Sequence, residues 1–443
     1  MKAIPMEEGT LLLLSPSPEL FTKSSRTRRR FWRVLKRNLE AALARRAPGA
    51  ELEMDWNRMW VSGGDLESAG RAAAEVFGVQ RAALGVEVPA DDLEVMARAV
   101  AERALPTVER RTFAVRVKRR RPKPWASRDA EVIIGDLLRE ASAGVDLTRP
   151  EVTVRLEVFD DSAYLIERVW DGPEGLPVGT QGRVLGLISG GFDSPVASWM
   201  LMRRGSPVDF VHFTLDCAQG EHALAVAYQL LERWGAGNGF LAHTIDFQEV
   251  KDALQDEVDP RFRQVILKRL MFQAADRLAG SRRIHALVTG ESVGQVSSQT
   301  LENLALIDRA CSRTVLRPLA GMGKQEIIEW SRQIGTHDLS ARAKEVCDLS
   351  DGPVLVAGSH AAVERTGAAL PAGLVDRALR ARRVISLAYW SPGDPLLPVV
   401  SEPPPTVPFV VAGRDALPAE GPVAVGGREA PYLASELHAR GRT

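Results

Sequence analysis

Val184-Leu185-Gly186-Leu187-Ile188-Ser189-Gly190-Gly191-Phe192-Asp193-Ser194 decides the fold of this chain. Its first five residues form an all-apolar run, the pattern of a strand covered on both faces. Pro195 to Arg204 then reads as a helix with proline in its first turn. A strand, a glycine turn and a helix start make an anion site, because unpaired backbone N–H groups and the positive end of the helix dipole meet there. Gly190 and Gly191 let the backbone approach phosphate, and Ser189 and Ser194 add hydroxyl donors. No lysine follows the glycines, so this is not a GxxxxGK[ST] loop. The bland alternative is a structural strand-to-helix turn.

Downstream, apolar strands at Val208–Phe213, Leu241–Phe247 and Ala286–Thr289 alternate with helices at Glu221–Trp234, Pro260–Leu278, Lys324–Ile334 and Leu374–Leu387. That rhythm predicts an α/β fold with a doubly wound parallel sheet, whose ligands bind beyond the C-terminal strand ends. Upstream, Asp171 to Pro177 is turn chemistry and marks a hinge. Before it, strands at Thr10–Ser15, Thr112–Lys118, Val152–Val158 and Ser162–Arg168, and two short strands or a hairpin over Glu51–Val61, mix with helices at Asp65–Phe77, Asp91–Ala104 and Arg128–Ala141, which predicts two small α+β domains. The expected organisation is 1–62, 63–170, a linker over 171–182, the sheet domain over 183–390 and a Pro/Gly-rich tail over 391–443.

Charge is unevenly spread. Lys23, Arg26, Arg28, Arg29, Arg30, Arg33, Lys36 and Arg37 crowd one segment, where Phe31, Leu35, Leu39 and Leu43 recur at helical spacing. Lys118, Arg119, Arg120, Arg121 and Lys123 run into Trp125. Basic runs beside an aromatic suit phosphates and unpaired bases, against the alternative of solvated faces. The net charge is zero over 443 residues, so nucleic-acid affinity rests on such local patches. Three cysteines exclude a disulfide framework and suit a reducing cytoplasm. A secretory leader and a run of apolar residues long enough to cross a membrane are both absent from the sequence.

Ser189–Ser194 has the SGGxDS pattern of the PP-loop ATP pyrophosphatases. Further stretches narrow the likeness: Phe113 to Arg120, Gly175-Leu176-Pro177-Val178-Gly179, Val288 to Thr300, and Leu316-Arg317-Pro318-Leu319 followed by Lys324. Over residues 10 to 390 the chain resembles the tRNA 4-thiouridine synthetase (ThiI) family. The resemblance implies a ferredoxin-like domain, a THUMP RNA-binding domain and a PP-loop adenylating domain. It implies a reaction in which ATP activates O4 of uridine 8 in tRNA and sulfur replaces it. A homodimer, a cysteine desulfurase as persulfide donor and transfer to the carrier protein ThiS in thiamine synthesis belong to the same expectation. ThiS transfer is tied in the family to a C-terminal rhodanese domain, whose cysteine has no counterpart after Cys347.

Three residues are expected to do chemistry. Asp193 holds Mg²⁺ on the triphosphate, a hard oxygen for a hard ion, with a helix cap as its alternative role. Lys324 stabilises the leaving pyrophosphate. Cys347 matches the family's catalytic cysteine and handles sulfur as a thiolate. The resemblance places nucleotide contacts on Leu187, Ile188, His212, Phe213, Lys268, Gly290 and Gln299, beside Ser189, Gly190, Gly191 and Ser194 of the loop. Cys217 is a candidate resolving thiol, and Cys311 is assigned to packing. Without a Cys-x-x-Cys pair there is no signal for an iron–sulfur cluster, and Cys217 with His222 lacks zinc spacing. RNA contacts are expected at Lys23, Arg26, Arg28, Arg29, Arg30, Lys118, Arg119 and Arg120. Other readings are thiolation of another tRNA position, thiolation of ThiS, and a tRNA-binding protein without catalysis.

Overall fold

A computed structural model describes residues 9–55, 59–160, 162–215, 220–343, 349, 359–388 and 392 of the protein. The chain divides into two compact units, Met1–Pro177 and Val178–Thr443.

The first unit is built on one sheet of strands β1 (Thr10–Pro16), β2 (Glu51–Met54), β3 (Met59–Ser62), β4 (Val79–Val88), β5 (Thr112–Arg119), β6 (Gly144–Val145), β7 (Val152–Val158) and β8 (Ala163–Asp171), in the order β2-β3-β1-β4-β8-β7-β5-β6. β1 runs antiparallel to both β3 and β4, with Leu12 opposite Val61 and Leu84. The Ser25–Arg46 helix buries Phe31, Leu35, Leu39 and Leu43, spaced by four, and leaves its arginines outward. Asp65 caps the Leu66–Ala73 helix by accepting from the N–H groups of Glu67 and Ser68. Asp92 does the same for Leu93–Val108. Sequence reading gave no strand over 79–88, yet β4 is the longest in the sheet and joins β1 to β8. Its Ala82-Ala83 pair and Gly85 blur the alternation, because a strand covered on both faces has no need of a polar side.

The second unit carries β9 (Val184–Leu187), β10 (Val208–Thr214), β11 (Leu241–Asp246), β12 (Ala286–Val288), β13 (Thr314–Leu316) and β14 (Arg383–Ser386) in the order β13-β12-β9-β10-β11-β14. All neighbours are parallel except β14, which pairs antiparallel with β11. The expected helix over Leu374–Leu387 therefore stops at Arg380, and the chain returns to the sheet as β14. Val384 and Ile385 are β-branched, and β11 offers them an open ladder. Short helices at Gln248–Glu257 and Leu301–Asp308 and the strand β13 also escaped the sequence reading. One core joins Leu185, Val211, Ile245 and Leu287 of the strands to Val265, Ile266, Phe272 and Leu278 of the Pro260–Ser281 helix. The strand order reverses between β9 and β12, and at such a switch point the outgoing loops diverge and leave a crevice. The loop after β9 and the segment Thr289-Gly290-Glu291 after β12 both emerge there.

Candidate active site

β9 delivers the chain into Ser189–Phe192, and a helix begins at Asp193. Ser194 closes the loop on itself: its Oγ accepts the Ser189 N–H at 2.9 Å and lies 3.1 Å from Ser189 Oγ. No side chain caps the helix start, which leaves its N-terminal dipole facing the loop. A Cβ at Gly191 would meet nothing closer than Ser189 Oγ at 3.7 Å, so that face of the loop is open. A Cβ at Gly190 would fall 2.4 Å from His222 Cδ2, and one at Gly290 would fall 2.6 Å from the Asp193 carbonyl carbon. Glycine at 290 thus lets the segment after β12 lie against the start of the helix.

Asp193 is the hub. Its Oδ1 accepts from Lys324 Nζ at 2.8 Å and its Oδ2 from Gln295 Nε2 at 2.9 Å. Lys324 opens the Lys324–Ile334 helix, where the dipole disfavours a cation. Its charge is offset by Asp193 and by the Phe192 ring, whose centre lies 5.6 Å away. Gln295 is a site residue that the sequence reading missed.

Behind this pair, Glu291 is buried and accepts from Lys268 Nζ at 3.0 Å, Arg317 Nε at 2.9 Å and Thr289 Oγ1 at 3.1 Å. Burial by itself would raise the Glu291 pKa, but Lys268 and Arg317 outweigh it and hold the carboxyl below its usual range. Arg317 also grips Asp308. Lys268, expected on the nucleotide, therefore has its charge engaged by Glu291, a residue missed although it follows Gly290 directly.

Several expected nucleotide contacts have side chains turned elsewhere. Ile188 is buried, and Leu187 and Phe213 pack against the core, the latter 4.6 Å from the Phe247 ring. Ile188 offers a ligand its backbone, whereas Leu187 and Phe213 are only partly buried and keep part of their side chains exposed. His212 lies at the end of β10, with Nδ1 2.9 Å from the Ile188 carbonyl. A carbonyl only accepts, so Nδ1 carries the proton. Burial lowers the His212 pKa and so favours a neutral ring, against the opposing effect of that hydrogen bond, which favours the charged one. Gln299 Oε1 accepts the Ser292 N–H at 3.2 Å, holding the Ser292–Gln299 loop to itself.

Cys217 and Cys347 lie outside the described residues, as does the tail from 393 onward. Cys311 is half-buried and donates to Asp276 at 3.2 Å; burial pushes its thiol up to about 11, so it is protonated at neutral pH. Among the described residues no group of three potential metal ligands occurs, and no helix is long and apolar enough to cross a membrane.

On the first unit, Arg26, Arg29 and Arg30 are exposed along the Ser25–Arg46 helix, with Lys23 and Arg28 half-buried. Arg29, Trp32, Arg33, Met54 and Asp55 line a cavity of about 440 Å³. Lys118 is exposed. By contrast, Arg120 is paired to buried Glu157 at 2.6 Å, and Arg119 lies over the Trp125 ring and bonds the Trp125 carbonyl. Trp125, expected to stack on a base, is thus already engaged by Arg119.

The family model described as Thiamine biosynthesis protein (ThiI) matches residues 179–368, the THUMP domain matches 89–166, and the ThiI ferredoxin-like domain matches 17–83. A probable tRNA sulfurtransferase of Aeropyrum pernix is 42% identical, over 76% of this chain and 86% of its own length. The chain belongs to the ThiI family. Another member, the tRNA sulfurtransferase of Desulfurococcus amylolyticus, is 36% identical over 92% of this chain and 86% of its own. The Escherichia coli enzyme of the same name is 38% identical over 77% and 72%. Among solved structures, a 4-thiouridine synthetase in complex with RNA and ATP matches with a TM-score of 0.72 at 25% identity, covering 86% of this chain and all of that one. These matches span both units of this ThiI-family protein, from the basic helix to the loop that carries Asp193.

Proposed function

We propose that this ThiI-family protein is an ATP-dependent tRNA uracil 4-sulfurtransferase that converts uridine 8 to 4-thiouridine. The observation that carries the reading is the convergence of Asp193 and Lys324, distant in sequence, at the mouth of an open glycine loop. A uridine carbonyl oxygen is a poor leaving group, and adenylation turns it into a good one. O4 attacks the α-phosphorus and pyrophosphate departs; the outer sulfur of the Cys347 persulfide then attacks C4 and AMP departs. The Cys217 thiol then attacks the Cys347 sulfur, freeing 4-thiouridine and leaving a Cys217–Cys347 disulfide that an external thiol reduces. The loop N–H groups and the helix dipole hold the phosphates, and Lys324, released from Asp193, meets the developing charge on pyrophosphate. Asp193 fits Mg²⁺ that is otherwise ligated by phosphate and water: it is a single hard carboxylate with no competing soft donors beside it among the described residues. Exposed Arg26, Arg29 and Arg30 with Lys118 supply phosphate contacts for the tRNA. A homodimer and a cysteine desulfurase that loads Cys347 with persulfide complete the reading.

Purified protein with ATP, Mg²⁺, unmodified tRNA and a persulfide-loaded desulfurase should yield thiolated nucleoside, located by mass spectrometry. Cys347→Ser should abolish that product while AMP formation persists. Full turnover by Cys347→Ser would remove the cysteine from the mechanism, and sulfur at a position other than 8 would redirect the substrate.

A further inference from the structure

Gln295 follows Gly294, whose φ of +75° suits glycine and bends the Glu291–Gln299 loop. The Gln295 amide nitrogen donates to Asp193 Oδ2 at 2.9 Å. A carboxylate only accepts, so the amide has one orientation: nitrogen on Asp193, oxygen elsewhere. That oxygen, Oε1, is buried and has no hydrogen-bond partner. Its loop neighbours are settled, since Gln299 Oε1 accepts from Ser292 N–H and Ser292 Oγ donates to the Met322 carbonyl. A buried acceptor left unpaired carries a desolvation penalty that an incoming donor relieves. On either side of Gln295, Val293 and Val296 are 44% and 50% exposed, an apolar rim suited to the face of a flat ring.

We propose that Gln295 determines which pyrimidine is taken, its Oε1 accepting the N3–H of the uracil whose O4 is activated beside Asp193 and Lys324; this rests on the sulfurtransferase reading above. Uracil presents a donor at N3 next to the acceptor O4. Cytosine presents a bare acceptor at N3 and an amine at C4, so its ring nitrogen would face the amide oxygen lone pair to lone pair. An in-place flip of the amide would not accommodate cytosine, because it would turn the oxygen against the Asp193 carboxylate. Asp193 therefore makes the discrimination rigid.

The test measures binding, not turnover, with a non-hydrolysable ATP analogue, Mg²⁺ and tRNA transcripts carrying uridine, cytidine or 3-methyluridine at position 8. The wild-type protein should bind the uridine form roughly 10- to 100-fold tighter than either of the others. In Gln295→Leu that preference should shrink to about one. Equal binding of all three by the wild type overturns the proposal without any variant. So does a Gln295→Leu protein that keeps the preference but needs more Mg²⁺, which would make the residue a metal contact. A thiolation assay on the same protein preparation and uridine transcript, with ATP and a persulfide donor in place of the analogue, separates the two readings: turnover without binding preference sinks the role of Gln295 alone, and absence of both turnover and nucleotide binding sinks the sulfurtransferase.

Discussion

Gly290→Ala is the most informative single change. The added methyl would lie 2.6 Å from the Asp193 carbonyl carbon, 2.7 Å from the Ser194 nitrogen and 2.9 Å from Asp193 Cβ. All three atoms belong to the rigid start of a helix or to its first side chain, so no rotamer change relieves the overlap. Relief requires the segment after β12 and the Asp193 turn to separate by something near 1 Å. Overpacking of this kind costs about 1–3 kcal/mol of stability. In a unit of this size that lowers the melting temperature by roughly 2–4 °C per kcal/mol. The catalytic cost should be larger in proportion, because displacing a positioned phosphate loop by about 1 Å lowers turnover on the order of 100-fold. Differential scanning fluorimetry and steady-state AMP release measure the two effects on one preparation. A Gly290→Ala protein with unchanged melting temperature and turnover within twofold of wild type would refute the close approach and the argument built on it.

Three further outcomes follow from the same structure. Glu291→Gln should lower stability to urea by about 3 kcal/mol, since Lys268 and Arg317 lose a buried carboxylate, with Arg317 keeping Asp308. His243 is buried between Arg282 and Arg382, and burial, aided by those charges, pushes its pKa down to about 3. The folded state thus binds its proton later than the unfolded chain, so stability is full above about pH 6.5 and falls as pH drops toward 3, by about 2 kcal/mol at pH 5; urea midpoints at pH 7 and 5 should show this, and His243→Phe should flatten the difference. Cys311, with its thiol pushed up to about 11 by burial, should react slowly with iodoacetamide at pH 7.5, and Cys311→Ala should leave thiolation unchanged when product is counted by mass spectrometry.

Much of the site was legible because local chemistry dictates it. An apolar run, a glycine turn and an Asp-Ser pair specify strand, loop and helix start within a dozen residues. The Lys324–Ile334 helix was equally plain, framed by Gly323 before it and by Gly335, at φ +85°, after it. Strand β4 was hidden because alternation vanishes when both faces are covered, and β14 because four residues after a helix carry too little pattern against an extended apolar period. Glu291 and Gln295 were missed for a different reason. Periodicity shows which side of an element faces inward, but not which distant side chain waits there, and both residues owe their roles to partners brought close only by the sheet.

β4 bonds to β1 along one edge and to β8 along the other, so the stretches on either side of residues 62 and 63 are stitched into a single fabric. Cutting there would expose raw hydrogen-bonding selvedges on both pieces, which invite aggregation. The natural parcel for transplantation or truncation is the entire segment up to Pro177. Any exchange of this half between proteins, in the laboratory or across evolution, should carry the basic helix and the Lys118 strand together.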